Sequence, residues 1–242
     1  MKVIGLTAAG LLLFSQVATA ASWSVISFKT TPQSAPKVLA ATDKLLSSAA
    51  GKEFQGKLLL QQNLADGNDP ATHSFVPIYK TAAEREEFVK KLQADPAWGE
   101  FLAVIAKETQ PVSTVWLKTM KSWGEIVDTD HVWEIHAFTV SDQSAFVAAI
   151  DKFIGSETGK KFPGQVYLSA VVAGGLTPVT HVVSVGFASE AEMDAWDDVR
   201  NPSPDWVSFS DEARKVSQYL GTSLSRDLKT WGPATLKDVT AR

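Results

Sequence analysis

The sequence predicts an α+β chain made of two tandem β-α-β-β-α-β units. Three observations predict it: the chain aligns with itself, each copy repeats the same strand and helix periodicities, and each copy breaks its second helix at a proline. Setting Gly51-Lys52-Glu53-Phe54-Gln55-Gly56 against Gly159-Lys160-Lys161-Phe162-Pro163-Gly164 opens a register that holds without a gap to Trp123-Gly124 and Trp231-Gly232. Over these 74 positions 21 residues are identical. The shared landmarks include Ala65-x-Gly67-x-x-Pro70-x-Thr72-His73 against Ala173-x-Gly175-x-x-Pro178-x-Thr180-His181, and Pro96-x-Trp98 against Pro204-x-Trp206. Upstream, Trp23 through Ala35 matches Trp133 through Ala145, with two residues fewer before the second Gly-Lys. A repeat of roughly 105 residues is the size of a small domain.

Each element follows from local pattern. Residues 23–29 and 132–140 are rich in β-branched and aromatic side chains and read as first strands. Phe146, Val147, Ile150, Phe153 and Ile154 then form one apolar helical stripe ended by glycine, and Val38, Thr42, Leu45, Leu46 and Ala49 repeat it more weakly. Residues 57–64 and 73–79, like 165–172 and 181–187, are strand runs parted by Gly, Asn, Asp and Pro, a hairpin with a long loop. Thr81-x-x-Glu84 and Ser189-x-x-Glu192 are capping boxes that open a second helix. Asp95-Pro96 and Ser203-Pro204 interrupt that helix and restart it, because proline suits a first helical position and no interior one. Residues 112–120 and 219–228 read as last strands, each copy closing at Trp-Gly.

This order is that of a ferredoxin-like split βαβ sheet, with helices on one face. Unit order, broken second helix and duplication together resemble the dimeric α+β barrel superfamily, the group that includes the antibiotic-biosynthesis monooxygenase-like proteins. The resemblance implies two sheets packed face to face as an intrachain barrel. It also implies a small apolar or aromatic ligand in a pocket between sheet and helices, which in some members is haem. It brings no motif specific enough to carry a reaction. The expected division is residues 1–20 as signal peptide, 21–125 and 131–232 as the two units, and 233–242 as a polar tail.

Composition bounds the function. Lys2, an apolar run over residues 3–14 and Ala18-Thr19-Ala20 read as a secretory signal cleaved after Ala20, so the mature chain is expected to be exported, to periplasm or medium. The run is too short to span a membrane. With no cysteine there are no disulfides, thiolate metal sites or cysteine nucleophiles, and stability must come from apolar cores. The acidic balance, 27 Asp and Glu against 23 Lys and Arg, and the absence of basic runs make nucleic acid an unexpected partner. Homo-oligomerisation stays open. Gly155 to Lys161 fails as a phosphate loop in glycine spacing and in the residue after its lysine, and no zinc-protease helix, nucleophile elbow or calcium loop is present.

The candidate site residues are few. His73 and His181 occupy the same place in both copies and could serve catalysis as acid, base or ligand at a pocket mouth, or could pin the Pro-x-Thr-His loop onto its strand. Trp98 and Trp206 follow the helix break, where an aromatic pocket wall could open. Glu134 and His136 share one strand face with Phe138, where the first copy has Ser24, Ile26 and Phe28, and could mark specialisation of one half or an ion pair. Asp128, Asp130 and His131 form a linker cluster but no metal site is expected there, and no cofactor is assigned. Three readings stand: an exported binder of a small apolar or aromatic ligand, a cofactor-independent or haem-associated oxygenase or isomerase using His73 or His181, and a structural or interaction protein without a ligand.

Overall fold

The computed structural model describes residues 21–174 and 178–240; the expected signal peptide and Gly175 lie outside them. The first half runs β1 (Ser22–Thr30), α1 (Ala35–Leu46), β2 (Lys57–Ala65), β3 (His73–Tyr79), α2 (Ala82–Ala94), α3 (Pro96–Glu108) and β4 (Thr109–Gly124). The second runs β5 (Val132–Val140), α4 (Gln143–Ile154), β6 (Gln165–Gly174), β7 (His181–Phe187), α5 (Glu190–Arg200), α6 (Pro204–Val216) and β8 (Ser217–Trp231), and α7 (Leu236–Thr240) follows.

The punctuation acts as read. Thr81 and Ser189 cap α2 and α5 by accepting from the Glu84 and Glu192 amides. The two carboxylates reach back one residue beyond the cap, to the Lys80 and Ala188 amides. Asp95 and Ser203 cap the restarted helices α3 and α6, each with proline at its first position. The last strands run longer than expected, because Pro111 does not end β4: it sits opposite Phe28 where the register slips at Ser27/Phe28, a bulge that tolerates a residue with no amide hydrogen.

All eight strands join one closed antiparallel barrel in the order β1-β3-β2-β8-β5-β7-β6-β4. Each half supplies a four-stranded sheet in ferredoxin-like order, and the two face each other across the lumen. Pairs β2·β8 and β4·β6 join them edge to edge, so the barrel closes within one chain and the sheet has no open edge. Helices α1 and α3 pack together outside the first sheet, α4 and α6 outside the second. Their cores are the outward strand residues: Phe28, Leu60 and Phe75 with Val38, and Leu168 with the fully buried Phe146, Ile150 and Ala213.

A reciprocal clasp holds the halves together. The Trp123 indole and Lys121 at the end of β4 donate to Asp151 of α4, while Trp231 and Lys229 at the end of β8 donate to Asp43 of α1, with both indole bonds 2.7 Å long. The tryptophans that end each repeat therefore bond to the other repeat's first helix. The glycines after them take φ of 84° and 97°, turning the chain where a Cβ would stand about 2 Å from a carbonyl oxygen.

The segment expected as a polar tail is instead a plug. Ala234, Leu236 and Val239 are buried against Trp133, Tyr167, Leu59 and Ile78, closing one end of the barrel. Its apolar positions are too few to register as hydrophobic by composition, but Leu236 and Val239 are three apart and share a helix face. The Leu236 amide donates to Asp128, which also pairs with Lys57 at 2.7 Å.

Candidate functional site: the barrel lumen

Strand alternation divides β3 and β5 between lumen and helix layer. On β3, Ser74, Val76 and Ile78 line the lumen while His73, Phe75 and Tyr79 face the helices; on β5, Trp133, Ile135 and Ala137 line it and Glu134, His136 and Phe138 do not. The lumen is a blind cavity of about 900 Å³. Its floor is the plug with Trp23, Trp133 and Tyr167; its mouth lies at the hairpin-loop end, where residues 66–70, Val171 and Val179 line it. Among the described residues the lining contains no lysine, arginine or histidine.

None of the six residues singled out in the sequence lines this cavity. His73 and His181 lie on the opposite strand face, each with Nδ1 2.9 Å from the hydroxyl of the preceding threonine. Those threonines also accept from the Thr30 and Val140 amides of the neighbouring strands, so each Thr-His pair ties its loop to its sheet. Burial lowers the pKa of both imidazoles. Trp98 stacks on Phe101 in the first helix layer, and Trp206 packs with Phe153 and Phe209 in the second. Glu134 and His136 are 3.4 Å apart on the outer face of β5; Glu134 lies 3.8 Å from Arg200, whose guanidinium covers the Trp206 ring. Burial alone would raise the Glu134 carboxyl, but His136 and Arg200 hold it below the usual carboxylate range. The structure thus brings Glu134, His136 and Trp206 together around Arg200, outside the barrel.

The residues that do face the lumen differ between the repeats. In the repeat alignment Val76, Val115 and Leu117 of the first half stand where the second has Ser184, Ser223 and Ser225. Nearer the mouth the polarity reverses: Ser27, Ser74 and Ser113 answer to Ala137, Val182 and Gly221, and Ser27 and Ser74 bond each other at 3.1 Å. In the first half the Trp23 indole donates to Thr119; in the second the Trp133 indole donates to Asp227, the aligned position. Asp227 also accepts from Gln61 Nε2 at 2.8 Å. Burial pushes the Asp227 carboxyl up to about 6, against these two donors. Beside it Gln165 donates to Asp130 and accepts from Tyr167, whose hydroxyl Thr240 of the plug also reaches. Sequence reasoning missed this set. The signal was there: valine or leucine aligned with serine, and threonine with aspartate, at alternating positions of paired strands.

Haem, which the resemblance implies for some members, does not fit these residues. An axial donor is needed, yet among the described residues no histidine lines the lumen, and the Tyr167 hydroxyl is committed to Gln165 and Thr240. Between each sheet and its helices, where a pocket was expected, Phe28, Phe75 and Phe101 fill the first layer and Phe146, Phe153, Trp206 and Phe209 the second. The cavity lies between the two sheets instead, because the outer face of each sheet is already packed.

No protein-family model and no curated protein matches the chain. Solved structures do. A "putative monooxygenase" from Lactobacillus acidophilus NCFM superposes with a TM-score of 0.64 at 10% identity, covering 90% of this chain and 98% of that one. A second protein so described, from Fusobacterium nucleatum subsp. nucleatum, gives 0.60 at 15% identity over 90% and 97%. An anthrone oxidase-like protein gives 0.57 at 11% identity over 93% and 97%. At such identities the likeness concerns fold alone. With two ferredoxin-like sheets closed into one barrel and these neighbours, the chain has the fold of the dimeric α+β barrel superfamily, as a tandem duplication.

Proposed function

We propose that the protein is exported and binds a small apolar or aromatic molecule in the barrel lumen. One observation carries this reading: a blind cavity of about 900 Å³ lined by both halves, mostly with aliphatic and aromatic side chains and a few placed polar groups. A core that needed only stability would fill such a volume, since cavities cost stability in proportion to their size. Catalysis through His73 or His181 draws no support from their positions against the helices.

Trp23 and Trp133 line the cavity, so their fluorescence reports on occupancy. Titrating the chain lacking residues 1–20 with the uncharged probe N-phenyl-1-naphthylamine should give saturable quenching with one site. Val76→Trp, which fills the mid-lumen, should abolish it while leaving a cooperative thermal transition. Non-saturable binding by the parent, or undiminished binding by a folded Val76→Trp variant, overturns the reading. For export, the mass of the protein recovered from a secreting bacterial host should begin at Ala21; an unprocessed chain retained inside the cell would refute that half of the proposal.

A further inference from the structure

The exchange of aliphatic for hydroxyl side chains inside the second half leaves hydroxyls without protein partners. Ser184 and Ser225 both line the cavity, both are more than nine-tenths buried, and neither hydroxyl has a hydrogen-bond partner among the described residues. A buried, unsatisfied hydroxyl is costly enough to call for an explanation. At the aligned positions the first half keeps Val76 and Leu117, so the backbone does not require serine there. By contrast, several polar groups of the first half that face the lumen are spent on each other or on neighbours: Ser27 on Ser74, Gln61 on Asp227, Asn63 on Asp66 and Ala71. The lumen therefore has one wall of aliphatic side chains at mid-depth and, across from it, hydroxyls still able to give and accept hydrogen bonds.

Resting on the lumen-binding reading, we propose that the ligand is an uncharged apolar molecule carrying hydroxyl or carbonyl groups along one edge. Its apolar face lies on Val25, Val76, Val115 and Leu117, and its polar edge lies on Ser184 and Ser225. Charge argues against an anion: among the described residues no cationic side chain lines the cavity, Asp66 and Asp69 stand at its mouth, and the Asp227 carboxylate lies behind Gln61 and Trp133. A carboxylate ligand would shed its water and meet only negative charge. A site built to bond hydroxyl or carbonyl groups discriminates strongly against the ligand that lacks them, because its own polar groups then stay unpaired.

The test uses three probes of one size, with calorimetric titration of the chain lacking residues 1–20: naphthalene, 2,6-naphthalenediol and 2-naphthoate. The parent should bind the diol at least tenfold more tightly than naphthalene, and naphthoate most weakly. The Ser184→Val/Ser225→Ala double variant should lose the preference for the diol while keeping its affinity for naphthalene, which also certifies its fold. If the double variant does not bind naphthalene, Ser184→Ala alone should cut the preference several-fold. Equal binding of naphthalene and diol by the parent, naphthoate binding most tightly, or an unchanged preference in a folded variant overturns the proposed polarity but leaves lumen binding standing. Failure of all three probes to bind the parent overturns lumen binding, and this inference with it.

Discussion

The two halves of the barrel share one plan and differ in what they turn inward. Outside, they share their ties: Thr72-His73 and Thr180-His181 make the same loop tie, and Asp43 and Asp151 receive the same Trp and Lys donors, although only the second half carries the Glu134, His136 and Arg200 cluster. Inside, valine and leucine of one half face serine of the other, and Thr119 is answered by Asp227. The symmetric contacts are those that hold the backbone in place. The asymmetric ones include those that line the lumen, where the two walls differ in polarity.

The comparison can be broken at its shared floor. Leu236 packs against residues of both halves, so Leu236→Asp should destabilise the whole molecule by about 3 kcal/mol, from lost burial and a buried charge together. Urea denaturation should show one cooperative transition at a lower midpoint. Two separate transitions would mean that the halves are stable apart and that the plug serves only one of them.

The asymmetry can be sharpened with pH. Native Asp227 keeps its proton up to about pH 6 against 3.8 for the free carboxyl, so the native state binds more protons than the unfolded chain between those values. Its contribution to stability is then complete below pH 4 and is lost as pH rises through 6. Between pH 5 and pH 7 the parent should lose about 1 kcal/mol of stability that Asp227→Asn does not lose. Parallel pH profiles for parent and variant would show that burial does not hold the proton on Asp227. The aligned Thr119 has no such group to remove.

The clasp should prove the most even. Asp43→Ala and Asp151→Ala each remove an indole bond and an exposed ion pair, and each should cost about 1 kcal/mol. Thermal midpoints within a degree or two of each other would confirm that the halves are held symmetrically. A large difference would show that one junction, β2·β8 or β4·β6, carries the closure.

Much of the fold was legible because duplication lets each copy check the other: a weak helical stripe at Val38–Ala49 is read with the strong one at Phe146–Ile154. The site was less legible for a physical reason. Alternation correctly grouped Glu134, His136 and Phe138 on one face of β5, but both faces of these strands are covered, one by helices and one by the lumen. Polarity does not say which is which, and the polar residues of the helix face, His73 and Glu134 among them, stood out more than serines scattered in an apolar run. The plug was hidden by brevity, since a five-residue helix has no periodicity to detect.

Among the described residues, strand β8 is the last long element and the one that joins β2 to β5. Its Lys229 meets an aspartate 186 residues earlier. Contacts of such separation must wait until β8 has been made, and they form slowly. While β8 is still being made, the edge of β2 stays unpaired and the floor stays open, so a chain that stops short presents a bare strand to its neighbours and aggregates. For a chain exported as proposed above the delay is useful: with closure held back until β8 is made, the seven strands before it stay open to threading.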